Sequence, residues 1–169
     1  LNFRSSAFLI PIAHTLVATK LRKQYETDLK TEINKVRWFE YAFSAGTMIV
    51  AIALLSGIFD FGTLLALFGL VAVMNLMGLS MELTNKSSKK VSWLSYYIGC
   101  VAGLVPWLVI AVSLVAGTIN STGGIPGFVY AIFVSLFIFF NLFAVNMWLQ
   151  YKKVGPWADY LYGERVYII

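Results

Sequence analysis

Charge is scarce in this chain. Of its 169 residues only 12% are Asp, Glu, Lys or Arg, where a soluble domain of this size carries roughly 25%. Histidine and cysteine are scarcer still, with His14 and Cys100 the single instances. One cysteine excludes a disulfide framework within the chain. One histidine excludes a haem site with two axial histidines and argues against a His/Cys zinc site. No nucleophile–base pair and no metal-ligand set stands in the sequence, so no enzymatic activity is expected. The net charge of +5 does not point to nucleic acid, because the basic residues sit in short segments between apolar runs. No signal peptide of roughly 15–30 residues is read before the first run, which starts at Phe3.

What is present is apolar. Hydrophobic residues make up 59% of the chain, and the mean hydropathy is +0.77. They come in runs of 17 residues (Phe3–Thr19, interrupted by Pro11 and His14), 22 (Val36–Gly57), 22 (Gly62–Leu83), 26 (Ser92–Gly117) and 26 (Pro126–Tyr151). About 20 such residues cross a bilayer as a helix. A last piece, Asp159–Ile169, has an acidic residue in its first turn, as helix starts favour. The expectation is an all-α membrane protein, a single transmembrane helical domain over residues 1–169. Its spans lie at about 3–19, 36–57, 62–83, 92–117 and 126–151, with the start of another at 159–169.

Loop charges predict orientation. The segments Lys20–Lys35, Thr84–Val91 and Lys152–Ala158 fall on one side. With the adjoining helix ends they carry eleven of the thirteen basic residues. The opposite loops, Ile58–Phe61 and Thr118–Ile125, carry none, and their one charge is Asp60. Positive loops stay inside, so loops 20–35, 84–91 and 152–158 are expected in the cytoplasm.

Against this background Glu40 is conspicuous. It lies one turn into its apolar run, in Arg37-Trp38-Phe39-Glu40-Tyr41, and no charge follows from Ala42 to Phe59. A carboxylate at membrane depth costs a few kcal/mol or more, so it is kept for a partner or a reaction. His14 stands five residues before the end of the preceding run, and Glu40 four residues, roughly 6–7 Å, into its own. The two are therefore expected at similar depth. Ser44 follows Glu40 by one turn on the same face. The competing readings are an interfacial Arg37–Glu40 pair that anchors a helix end, and a core histidine satisfied by its surroundings.

Other features read as structural. Gly99-x-x-x-Gly103 is a helix-packing or dimerisation pattern. Pro106 interrupts a helix, Pro126 suits a first turn, and Trp148, Tyr151, Trp157 and Tyr160 suit an interfacial belt. Asn75 and Asn146 are polar within apolar runs and each needs a hydrogen-bond partner. Asn120-Ser121-Thr122 fits the glycosylation acceptor pattern in a turn.

These residues resemble the heliorhodopsin family. The matching stretches are Arg37–Gly57, Asn75–Glu82, Asn146–Tyr151 and Gly155–Glu164, and the resemblance covers essentially the whole chain. It implies a seven-transmembrane-helix rhodopsin-like bundle, of which five helices and the start of a sixth are present, as the family's helices two to six and the beginning of seven. It implies an inverted topology, whose second helix runs from outside to inside, the direction the loop charges give independently. It implies retinal as chromophore, Glu40 as counterion of the protonated Schiff base, and His14, Ser44 and Arg37 in the polar network beside it. Tyr41, Met48, Met74, Asn75, Gly78, Trp107, Phe143, Met147 and Trp148 are the expected retinal pocket.

One departure accompanies the resemblance. The family attaches retinal through a lysine on helix seven. The nine lysines here, Lys20, Lys23, Lys30, Lys35, Lys86, Lys89, Lys90, Lys152 and Lys153, all lie in or beside the cytoplasmic segments. The attachment lysine is expected beyond Ile169, and the chain is expected to be an internal fragment. The function so implied is light sensing with signalling, in membrane lipid, as a homodimer with a cytoplasmic signalling partner. The alternatives are a light-driven ion pump and a non-photoactive transporter or assembly subunit. A pump needs a relay of ionisable groups, and Ala51 stands eleven residues beyond Glu40, where an outward proton pump of this fold keeps a second carboxylate.

Overall fold

A computed structural model describes Thr27 and residues 33–86, 88, 90–120 and 124–167. The expected first span, with His14, lies outside the described residues. Among the described residues all regular structure is helical: α1 (Lys35–Leu55), α2 (Phe61–Asn85), α3 (Leu94–Asn120), α4 (Gly127–Lys152), a 3-10 turn (Gly155–Ala158) and α5 (Tyr160–Val166). The first four are long and apolar enough to cross a membrane. At 1.5 Å per residue even α1, with 21 residues, reaches about 32 Å, the thickness of the hydrocarbon core. The chain is an all-α, multi-pass membrane protein.

Local chemistry sets the helix ends. Asn34 caps α1, its Oδ1 accepting from the Arg37 N–H at 3.1 Å, as N-cap side chains do for the third helical residue. Gly57, with φ +87°, makes the tight turn after α1, where an L side chain would be strained. Pro126 is the N-cap of α4, not a residue of its first turn as expected. The last turn of α4 closes in a Schellman motif, with Lys153 N–H on the Gln150 carbonyl at 3.1 Å and Val154 N–H on Leu149 at 3.2 Å. Lys153 adopts the left-handed conformation there (φ 52°). Asp159 proves to be the N-cap of α5, accepting from the Leu161 N–H at 3.0 Å.

Contacts divide the chain into two compact units. In the first, residues up to Val50 and Phe61–Pro106, glycines let helices approach. A Cβ on Gly46 would come within 2.7 Å of the Phe68 ring, and one on Gly78 would run into the Trp38 indole. Gly99 and Gly103 face Met77 and Met74 of α2. The small-residue pattern on α3 is thus used for packing inside the chain.

In the second unit, Ala51–Asp60 and Trp107–Ile169, Trp107 is buried among the edges of Phe133, Phe137 and Phe140, with ring centroids 5.3–5.5 Å away. Such edge-to-face pairs add to the burial of the rings themselves. Near the turn that follows α1, Ser113 donates to the Ser56 carbonyl at 2.9 Å, and Thr118 hydrogen-bonds Tyr130.

Candidate functional site

The start of α1 and the end of α2 hold a buried charged cluster. The Arg37 Nη2 lies 2.6 Å from Glu82 Oε1, and the other carboxylate oxygen accepts from the Asn34 N–H at 3.0 Å. Both side chains are almost fully enclosed, at 6% and 3% exposure. The guanidinium also sits 4.5 Å from the centroid of the Trp38 ring, a cation–π distance, and Trp38 in turn packs on Gly78. One carboxylate therefore binds both the guanidinium and the capping residue of α1, which ties the start of α1 to the end of α2.

Sequence reasoning missed this cluster. In the sequence Arg37 stands three positions from Glu40 on the same run, and Glu82 has no assigned role. The signal was in α2 itself: Leu67, Val71, Asn75, Gly78 and Glu82 are buried at intervals of three or four residues. That stripe is the inward face of a helix, and it ends in a carboxylate.

Glu40 lies one turn deeper than Arg37 and is half-buried, as are Tyr41 and Ser44. Asn75 is buried, and its amide donates to the Val71 carbonyl at 2.9 Å. Met74 is half-buried against Gly103, and Met48 is exposed. The flank of Gly78 is taken up by Trp38, so that glycine allows close helix packing.

The remaining expected pocket residues belong to the second unit. Trp107 is enclosed by three phenylalanines. Phe143 stacks on Tyr167, ring centroids 5.6 Å apart. Met147 is buried, and Trp148 is exposed with the Lys152 ammonium 6.0 Å from its ring centroid.

Beside Met147, Asn146 is buried and doubly engaged. Its Oδ1 accepts from the Trp157 indole N–H at 2.7 Å, and its Nδ2 donates to the Gly163 carbonyl at 3.1 Å. Trp157, read from sequence as a belt residue, is thereby pinned to α4. Among the described residues no group of three or more His, Cys, Asp or Glu side chains could hold a metal ion.

The sequence model of the family described as Heliorhodopsin matches residues 3–169. A search of curated proteins finds no match.

Proposed function

Because this chain belongs to the heliorhodopsin family, and so is a rhodopsin-type membrane protein, we propose that it is a light sensor that binds retinal and signals without pumping ions. The carrying observation is Glu40. It is a half-buried carboxylate in a helix that bears no further charge from Ala42 onward. Helix anchoring does not require it, because the buried Arg37–Glu82 pair already ties that end of α1.

The residues suit the charged end of retinal. Bound as a protonated Schiff base, retinal supplies light absorption and isomerisation. A buried cation of that kind needs a negative neighbour, and each stabilises the other's charged form. Glu40 is that neighbour, and Ser44 and Tyr41 offer hydroxyls one turn and one residue away. In this reading His14, from the preceding apolar run, would complete the network. Met48, Met74, Asn75, Trp107, Phe143, Met147 and Trp148 are the side chains from which the polyene's surroundings would be drawn. Lys35, Lys86, Lys90, Lys152 and Lys153 are exposed at helix ends, and in this reading none of them attaches the retinal.

Signalling is favoured over pumping by the lack of a relay. No ionisable Asp, Glu, Lys, Arg or His interrupts Gly62–Met81, Ser92–Gly117 or Pro126–Tyr151, and transport needs such groups across the membrane. The basic segments then face the cytoplasm, where a partner protein would meet them. A homodimer belongs to the same reading, through a face other than Gly99 and Gly103, which Met77 and Met74 occupy.

The test is the visible spectrum of the complete protein with added retinal, in wild type and Glu40→Gln. A coloured wild type, with the absorption maximum shifted and the Schiff-base pKa lowered in the variant, supports the counterion role. An unchanged maximum and pKa defeats it, and a colourless wild type defeats the photoreceptor reading altogether.

A further inference from the structure

The amides of Asn146 and Gln150 stand one turn apart on the same face of α4. Asn146 bonds Trp157 of the 3-10 turn and Gly163 of α5. Gln150 reaches the Tyr160 carbonyl at 3.4 Å, and Gly163 packs so closely on it that an added Cβ would lie 2.8 Å from the Gln150 Cδ. Trp157 is further held edge-on by Tyr162, with centroids 5.2 Å apart. Three elements in sequence, α4, the 3-10 turn and α5, thus converge on one buried side chain, which is 3% exposed.

We propose that Asn146 is a positioning residue that sets the start of α5 against α4 and links any movement of α5 to the cytoplasmic segment 153–158 through Trp157. The reason is the chemistry of a primary amide. Its oxygen holds the turn and its nitrogen holds the helix. Hydrogen bonds are lost within a few tenths of an ångström beyond about 3.2 Å. A slide or rotation of α5 therefore breaks one bond or drags the indole with it. The Asn146 amide is buried, so a bond left unmade there is costly, which favours dragging over breaking. The light-driven part of this inference rests on the photoreceptor reading, in which α5 begins the helix that carries retinal. The clamp itself does not.

The experiment places a spin label at Ala158→Cys, an exposed position beside Trp157, in the complete protein freed of other cysteines by Cys100→Ser and equivalent changes. Line shapes are recorded in the dark and under illumination for wild type, Asn146→Leu and Trp157→Phe. Asn146→Leu removes both bonds, and Trp157→Phe keeps a ring but loses one donor. The expected result is a broad dark spectrum in wild type that changes reversibly with light. The line is narrower in the dark and insensitive to light in Asn146→Leu, and Trp157→Phe lies between. Visible absorption in the variants stays close to that of wild type.

A merely structural asparagine would narrow the dark line without removing the light response. An Asn146→Leu label that responds to light as wild type does overturns the linkage, and so does a coloured wild type whose label ignores light. If the protein is colourless the photoreceptor reading falls by itself. The dark comparison then decides the clamp, with an unchanged line shape in Asn146→Leu overturning it.

Discussion

Arg37 and Glu82, 45 positions apart in sequence, meet as a buried ion pair with 2.6 Å between Nη2 and Oε1. The pair ties the start of α1 to the end of α2, one turn from Glu40. Its enclosure decides its energetics: the desolvation of both charges is already suffered, so removing one partner strands the other.

Glu82→Gln should therefore destabilise the protein by about 3–5 kcal/mol, with Arg37→Gln similar, and the double variant should recover part of the loss. Thermal unfolding in detergent or nanodiscs checks this. Additive losses in the double variant would show that the two side chains do not act as a pair.

Lys153 occupies a left-handed position at φ 52° that favours glycine. An L residue bears about 1–2 kcal/mol there, so Lys153→Gly should raise stability by about 1 kcal/mol. Thermal unfolding of the variant beside Lys153→Ala, which keeps the strain, separates conformation from charge.

Gly103 faces Met74 inside the chain. Gly103→Leu should cost about 1–3 kcal/mol by overpacking and leave the oligomeric state unaltered. Light scattering and unfolding, measured together, check both halves. A variant that loses dimers while keeping its stability would return this glycine to a subunit interface.

Gly78→Ala should also destabilise, by a similar amount of about 1–3 kcal/mol, since the Trp38 ring fills the space beside it. Trp38→Phe in the same background should restore part of the loss, as the smaller ring gives the new methyl room. Failure of that rescue would mean that another contact limits the site.

Illuminated cells carrying the complete protein should show no pH change that a protonophore abolishes, because the spans lack a relay. A protonophore-sensitive signal would revive the pump.

Much of the fold was legible because membrane insertion responds to local sums. The runs 36–57, 62–83, 92–117 and 126–151 differ from the observed α1 to α4 by no more than three residues at any end. Transfer of apolar residues from water depends on composition over a window, and little else. The 3-10 turn at Gly155–Ala158 escaped notice because a four-residue turn has no period to detect. Asp159 was legible as a helix-start residue, although only the backbone angles distinguish a cap from a first turn.

The candidate site was legible in one dimension. Arg37, Glu40 and Ser44 share a helix, and their spacing already sets their order and face. By itself the sequence determined that this is a helical membrane protein, that its basic residues cluster in alternate loops, and that Glu40 places a carboxylate within an apolar run. Only the tertiary structure decided that Arg37 bonds Glu82, that Gly99 and Gly103 serve packing within the chain, and that Asn146 joins Trp157 to Gly163. Those pairings depend on the rotation and register of one helix against another. Many side chains together set rotation and register, and no single window of sequence contains them.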